Sequence, residues 1–373
     1  MSVPLRRPGV TRRSLRPEHD LHPGDTERLP TTGRTAEGYR PRVREQARVT
    51  KTEVVVVGAG VVGLSCAVSL AEAGHRVRVW TADDPTATAS AHAAGVWKPT
   101  YQAPLASSLA WASRSLEHYR RLAVDPETGV RMVDALTVGE VPDRHALPDQ
   151  LSMLPDLAVP TTLPPGFDRG LAHRAPVVDL PRHLRWMLER LAALGGTVVL
   201  RRVESLDEAL AEAPVVVLAA GLGARELAGD PTVRPLFSQY VVTDNPGVHR
   251  VLVEISDARR WTSVIPHADR VHLGGVRVPG RTDATPDREE AREILHRCRE
   301  AEPALQDARV LRIDTGILPA RPTTRVEVEQ RGNGLVVHDY GHGGSGLALC
   351  WGTAHDVVRL VAAHHTAVER PSA

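Results

Sequence analysis

Three glycines set the first chemistry in this chain. Gly58, Gly60 and Gly63 stand at GxGxxG spacing within TEVVVVGAGVVGLSCAVSLAEAGHRVRVW, residues 52–80. Gly58 suits a tight turn, Gly60 lets backbone approach a pyrophosphate, and Gly63 lets a helix sit close on a strand. Ala59, Val61 and Val62 fill the intervening positions and share the same turn. The N–H groups and positive end of the following helix suit the phosphate charge. The ribose of such a dinucleotide calls for a carboxylate about 20 residues further on. Asp83 and Asp84 are the carboxylates there, and Asp83 is the better candidate.

Elements of definite kind must position these residues. Residues 54–57 are four consecutive valines, as a parallel strand covered on both faces requires. Leu64, Ala67, Val68 and Ala71 give the next segment one apolar helical face, and Gly74 stands at its stop. A constrained loop at 93–99 follows. Helices are predicted at 105–122, where Trp111 and Tyr119 read as packing residues, and at 181–194, closed by Gly195 and Gly196. The stretch 140–180 is proline-rich and ends in a short strand. A strand at 197–200, a helix at 205–213 and a strand at 215–219 read as a second pass through the first sheet, with Gly221 just beyond it as a further cofactor candidate. Period-two patterns at 240–243, 250–255, 263–266 and 270–274 predict antiparallel strands. A helix at 287–299, strands at 310–313 and 335–338, a second glycine-rich loop and a terminal helix complete the chain.

Composition narrows the function. A formal net charge of +1 over 373 residues argues against nucleic acid or an anionic membrane as main partner, and no apolar run reaches the length of a membrane span. Three widely spaced cysteines, Cys66, Cys298 and Cys350, suggest neither a disulfide framework nor a metal site, and fit a reducing cytoplasm. The histidines show no HxH or HExxH arrangement, so no metal is expected. Lysine occurs only at 51 and 98, which singles out Lys98. Residues 1–50, rich in Arg and Pro, are expected to be a disordered extension.

Six separated motifs together resemble the D-amino-acid oxidase and D-aspartate oxidase family, over about residues 52–361. They are VVVVGAGVVGLS, AAGVWKP, RRVES at 201–205, LGG at 273–275, TGxxPxRP at 315–322 and HDYGHGGSGL at 338–347. The resemblance implies an α/β fold in which a Rossmann-like FAD-binding domain (51–100, 195–235, 333–373) interleaves with a substrate domain built on a large mixed sheet (101–194, 236–332). It implies FAD with Gly58, Gly60 and Gly63 on the pyrophosphate, Thr88 and Ser90 helping to hold it, and Val203 beside the adenine. Gly95, Val96 and Lys98 fall beside the isoalloxazine. Gly341, Gly343, Gly344, Ser345, Gly346 and Leu347 form the second glycine loop, whose N–H groups suit the negative charge of a reduced flavin.

The activity implied is oxidation of an amino-acid C–N bond by hydride transfer to flavin N5, with oxygen returning the flavin and giving hydrogen peroxide. The sequence departs from the family where the substrate carboxylate is held. Leu318 replaces the arginine of TGxRPxRP, Ser263 a carboxylate-contacting tyrosine, and the lid tyrosine falls near Arg259. Lys98 replaces a glutamine or histidine. Arg277, Arg259 and Arg260 are the candidate compensating cations. Lys98, Arg277, Ser263 and Gly344 are therefore the catalytic candidates, and Arg259, Arg260, Trp261, Leu318 and Ser345 the substrate-contact candidates. The expected substrate is an acidic, N-substituted or secondary-metabolite amino acid, in the cytoplasm, with a homodimer as a compatible assembly. A flavin-binding protein without oxidase chemistry is the alternative. The second glycine loop and the lack of a strand-end carboxylate disfavour a nicotinamide dehydrogenase.

Overall fold

The computed structural model describes residues 51–98, 102–142 and 148–368, so the expectation for 1–50 lies outside the described residues. In chain order its strands and helices are β1 (Glu53–Val57), α1 (Val61–Glu72), β2 (Arg76–Thr81), α2 (Leu105–Leu122), β3 (Val130–Val138), α3 (Asp149–Ser152), β4 (Gly170–Val178), α4 (Leu180–Ala193), β5 (Thr197–Leu200), α5 (Leu206–Leu210), β6 (Val215–Leu218), α6 (Ala224–Leu227), β7 (Arg234–Asp244), β8 (Val251–Glu254), β9 (Arg260–Pro266), β10 (Arg270–Pro279), α7 (Arg288–Ala301), β11 (Val310–Arg331), β12 (Gly334–His342) and α8 (Gly346–Val368).

All twelve strands join one mixed sheet in the order β4-β3-β8-β9-β10-β7-β11-β12-β6-β1-β2-β5. β12, β6, β1, β2 and β5 are mutually parallel, whereas β8, β9, β10, β7, β11 and β12 pair antiparallel. The second pass predicted for 197–219 does return to the first sheet, since β6 pairs with β1 and β5 with β2.

The valine run of β1 is explained by what covers each face. Val54 and Val56 pack with Leu64 and Leu70 of α1 and Leu349 and Val357 of α8. Val55 and Val57 pack on the opposite face with Leu206, Val216 and Val336. Fully burying a side chain of this size stabilises by about 1.5–3 kcal/mol, so an alternating strand could not hold both layers. A separate core forms where α7 lays Ile294 and Cys298 on Phe237, Val241 and Leu273 of β7 and β10. Trp111 and Tyr119 are buried as expected, the indole N–H of Trp111 donating to Asp356 (2.7 Å). Among the described residues no helix is long and apolar enough to cross a membrane.

Three expectations are corrected. The segment 315–322, which the sequence marks as a motif beyond a short strand at 310–313, is the middle of the 22-residue strand β11. β3 was missed, and β4 begins well before the short strand expected near 175. The glycine loop begins later than expected, because β12 continues to His342.

Candidate cofactor and substrate site

A cavity of about 720 Å³ opens at the carboxyl ends of the parallel strands, lined by Val57 and Gly58 at the end of β1, Ala82 and Asp83 after β2, Ala219–Gly223 after β6 and Gly341–Gly344 at the end of β12. This is where an open parallel sheet receives ligands.

The first glycine turn is built as its spacing predicts. Gly58 has φ +115°, and a Cβ there would lie 2.4 Å from the Ala219 carbonyl oxygen. A Cβ at Gly63 would lie 2.0 Å from the Gly58 carbonyl, so Gly63 sets the approach of α1 to the turn and is not itself on the cavity wall. Gly60 faces Ser90, whose Oγ accepts the Val61 N–H (3.0 Å) and closes the start of α1. Ala59, Gly60, Val61 and Val62 all line the cavity, as do Thr88 and Ser90. Thr88 directs its hydroxyl to the Pro85 carbonyl (2.8 Å).

The cavity also carries Asp83, Val203 and Gly221. Asp84 is committed to the N–H (2.8 Å) and hydroxyl (2.6 Å) of Thr86 and lies off the lining, whereas Asp83 lines the cavity together with the carboxylates Glu204 and Glu226. Trp80, Arg201 and Arg202 stand here too, and were not singled out from sequence. Arg201 stacks on the Trp80 ring at 4.0 Å while pairing with Glu208. The motif RRVES marked the place without showing that stack.

The second glycine loop lines the same cavity as the first. Gly341 has φ +84°, and a Cβ there would meet the Arg321 side chain at 2.8 Å; Arg321 in turn is fixed to Asp230 (2.9 Å). Gly343, Gly344, Gly346 and Leu347 line the wall, whereas Ser345 does not. Beneath the loop lies Asp339, a residue the sequence reading passed over. It is fully buried, its Oδ2 accepts the Cys66 thiol (3.1 Å), and its Oδ1 lies 3.3 Å from His342 Nε2 without a hydrogen-bond geometry.

Gly95, Val96 and Lys98 do not reach the cavity lining, because the segment is tied to β4. The Val178 N–H donates to the Gly95 carbonyl (2.6 Å), Trp97 N–H to the Pro176 carbonyl (2.9 Å), and Val96 bridges Val177. His267 Nε2 donates to the Ala94 carbonyl (3.0 Å). A Cβ on Gly95, at φ +81°, would stand 2.0 Å from the Val178 carbonyl. The segment therefore acts as a bracket that places Lys98.

Lys98 and Arg277 meet at one indole. Lys98 Nζ lies 5.9 Å from the Trp261 ring centroid and the Arg277 guanidinium carbon 4.6 Å from it. Trp261 is buried and donates its N–H to Ser263 Oγ (3.1 Å), so Ser263 orients the indole and is itself buried away from the cavity lining. Burial, and then the Arg277 cation, bring the Lys98 pKa down to about 8. Arg277 follows a register shift between Gly274 and Val276, and such a bulge re-aims the side chains after it. Its guanidinium lines the cavity and comes to Gly344, where a Cβ would lie 2.6 Å from Nη2. Arg277 makes no ion pair among the described residues, and its buried Nε has no hydrogen-bond partner there.

The other candidate cations are placed differently. Arg260 pairs with the buried Glu290 (2.7 Å), which removes it from the substrate candidates. Arg259 is exposed, and its carbonyl accepts the Arg277 N–H (2.8 Å). Leu318 does line the cavity, beside Ile317, Ser238 and Tyr240, the last of which packs edge-on against Trp261 at 5.9 Å. Tyr240 had no signal in the sequence, since only strand register brings it opposite Gly274.

The residues present fit FAD. Two glycine turns border one cavity, a helix N-terminus and the Asp83 carboxylate stand along it, and an unsatisfied buried carboxylate oxygen, Asp339 Oδ1, belongs to its wall. Comparison with known proteins agrees. Residues 53–360 match the family model DAO, FAD dependent oxidoreductase. The chain is 43% identical over 311 residues to the D-amino-acid oxidase of Streptomyces coelicolor, covering 83% of this chain and 96% of that one. It is 33% identical over 323 residues to the human D-aspartate oxidase, covering 83% and 94%. The solved glycine oxidase of Bacillus cereus shares the fold, with a TM-score of 0.68 at 19% identity over 84% of this chain and 96% of that one. On the match of 308 residues to the family model and the extended identity to these curated relatives, the chain belongs to the DAO family of FAD-dependent oxidoreductases.

Proposed function

We propose that this FAD-dependent amino-acid oxidase holds its substrate by a carboxylate paired with Arg277, in place of the arginine that the family carries at position 318. One observation carries this reading. The Arg277 guanidinium lines the cavity at the second glycine loop with no carboxylate partner among the described residues, while Leu318 offers only apolar surface. A planar guanidinium with free N–H groups matches a carboxylate in two parallel charge-assisted bonds.

Bound FAD supplies the hydride acceptor at N5 and, once reduced, the electrons that oxygen takes up. The chain's own residues bind, orient and exclude water. Arg277 fixes the carboxylate, and the apolar Leu318 and Ile317 lie along the same wall for the remainder of the substrate. Tyr240 belongs to that wall, with Trp261 packed edge-on against it, and burial keeps the Tyr240 phenol protonated. Orientation of this kind supplies most of what hydride transfer from a Cα–H requires. The C–N single bond becomes an imine, which water converts to an oxo acid and ammonia, or an amine where the nitrogen is substituted.

The substrate class that fits is an acidic, N-substituted or secondary-metabolite amino acid. The cofactor belongs to segments 51–100, 195–235 and 333–373, and the substrate to 101–194 and 236–332. The three cysteines, free and buried, are compatible with a cytoplasmic setting, and a homodimer is a compatible assembly. The test is anaerobic titration of the purified yellow protein with D-amino acids, acidic amino acids and N-alkyl glycines. Bleaching of the flavin band by one class is expected. A flavin that none of them reduces would favour a binding protein without oxidase chemistry.

A further inference from the structure

Hydride leaves the carbon next to a neutral amine, whereas an amino acid arrives near neutral pH as an ammonium ion. A proton must therefore leave the nitrogen before the C–H bond breaks, and a side chain on the cavity wall can take it. The carboxylates Asp83, Glu204 and Glu226 line the cavity beyond β2, β5 and β6, three or more strands from β7 in the sheet order. Asp339 and His342 line it too, but both are almost wholly buried and face each other at the second glycine loop. Arginines stay charged, and burial keeps the phenols of Tyr240 and Tyr340 protonated. His92 differs from all of these. It lines the cavity with 46% of its side chain exposed.

The loop after β2 carries His92 onto the substrate side. The Ala89 methyl lies 3.7 Å from where a Cβ on Gly316 would stand, and His92 Nδ1 lies 4.0 Å from Asp314 Oδ1. Asp314 stands opposite Tyr240 in the register of β11 and β7, and opposed residues of an antiparallel pair share one face. Two residues along, Ser238 stands opposite both Gly316 and Arg277. Asp314 and Arg277 thus belong to one face, on the two strands that flank β7, with the cavity-lining Tyr240 and Ser238 between them.

We propose that His92 Nε2 is the base that accepts the proton of the substrate ammonium, on the reading of this cavity as an amino-acid oxidase site. With the carboxylate on Arg277, the α-nitrogen lies along this face toward His92. Nδ1 faces Asp314, so Nε2 is the ring nitrogen left for the substrate. The step balances as an N–H bond broken on the ammonium and an N–H bond formed at Nε2, with no change in oxidation state. The positive charge passes to an imidazolium that faces a buried anion, and Asp314 is the positioning residue. Burial works against an ionised Asp314, yet His272, with Nε2 at 3.4 Å, and then Arg312, at 2.8 and 3.0 Å, hold its carboxyl below the ordinary value. Burial in turn keeps His272 below its own ordinary value, so that ring stays neutral beside the carboxylate. The groups set around His92 are therefore Asp314 and Arg312 from β11, His272 from β10 and the Tyr240 phenol from β7.

The test uses FAD-loaded His92→Gln, His92→Ala and Asp314→Asn, each checked for folding by its melting temperature and for cofactor by its flavin spectrum. The first readout is the pH profile of anaerobic flavin reduction at low substrate. The wild-type rate constant should rise about tenfold per pH unit and level off below the substrate's own amine pKa. In His92→Gln that break should vanish, the rise continuing to the amine pKa with a loss of about tenfold or more at pH 7. Asp314→Asn takes away the anion facing the imidazolium, so the break should move to lower pH. Free imidazole should restore much of the lost rate to His92→Ala, which a merely structural histidine would not allow. The second readout needs no turnover. The 15N signal of the His92 ring, assigned by its absence in His92→Gln, should titrate in the oxidised protein, and at lower pH in Asp314→Asn. A His92→Gln profile that keeps the wild-type break, or a His92 ring that does not titrate between about pH 5 and 9, overturns the proposal and leaves the oxidase reading standing. A flavin that no amine reduces removes that reading and the proposal with it.

Discussion

The guanidinium of Arg277 reaches the second glycine loop through space that any side chain at 344 would fill, so a glycine and an arginine from distant parts of the chain act as one unit. Arg277→Leu removes the anchor outright. Since a hydrogen bond to a charged group contributes about 1.5–3 kcal/mol, the apparent substrate Kd in anaerobic titration should rise between roughly tenfold and a hundredfold, with FAD still bound. Gly344→Ala should give a smaller rise of the same kind, because the group displaced is the far end of a flexible side chain and the fold can yield to it. Unchanged substrate affinity in Arg277→Leu would refute the anchor. At this scale the sequence was legible wherever backbone geometry dictates residue type, as at Gly58 and Gly341. Arg277 could be read from its distance after LGG. Tyr240 and Asp339 were not legible, because a tyrosine in a strand and an aspartate before a glycine loop acquire a role only from what packs across from them, Gly274 in one case and the Cys66 thiol in the other.

Elements with a single strong pattern were read closely, and elements with mixed signals were not. α2 matches its predicted span, and the helix beginning at Arg288 starts behind Asp287, whose carboxylate caps Glu289 and Glu290. β11 was hidden by Gly316, Pro319 and Pro322, which ordinarily end a strand. Pro322 is tolerated because pairing with β12 is interrupted between Ala320 and Arg325, so it falls where that ladder has no rung, while Gly316 and Pro319 precede that ladder and pair with β7. α1 shows a different kind of hidden dependence. Its N-cap is Gly60, which has no side chain to offer, and the capping oxygen comes from Ser90, 29 residues away. Ser90→Ala should therefore cost about 0.5–2 kcal/mol in thermal stability and weaken FAD binding, measured by quenching of flavin fluorescence, while Ser90→Thr keeps most of both. An alanine variant with wild-type FAD affinity would show that the serine serves the helix alone.

At the scale of the whole molecule a pH dependence of stability comes from buried histidines, His183 and His267 among them. Burial holds His183 on α4 down to about 4, and burial together with the His272 and Arg270 charges holds His267 down to about 3. Each donates one ring N–H to a carbonyl, His183 to Thr128 (2.8 Å) and His267 to Ala94 (3.0 Å), and that bond fits the neutral ring. In the unfolded chain both titrate near 6.5. Below that value the unfolded state binds more protons than the folded state, so stability is full above about 6.5 and falls as the pH drops toward their folded values. The limiting slope is about 1.4 kcal/mol per pH unit for each such group. Carboxylates act later. Asp179, Asp230 and Asp314 are all held below their ordinary value, Asp179 and Asp314 facing arginine or histidine partners and Asp230 with Thr232 and Arg321, so their contribution is lost only once the pH passes below about 4. The melting temperature of the FAD-loaded protein should thus fall by several degrees between pH 7 and pH 5, a range in which no carboxylate explains the change. His183→Gln and His267→Gln should each lower stability at pH 7, through the altered carbonyl bond, while flattening the decline toward pH 5. A melting temperature level from pH 7 to pH 5, or an undiminished slope in the double variant, would show that these two rings are not the groups that make the interlayer core acid-sensitive. The same experiment bears on the site, because His267 holds the Ala94 carbonyl at the head of the bracket that places Lys98. Acid loss of this packing should accordingly release FAD before the sheet itself unfolds, seen as flavin fluorescence rising ahead of the loss of far-ultraviolet circular dichroism.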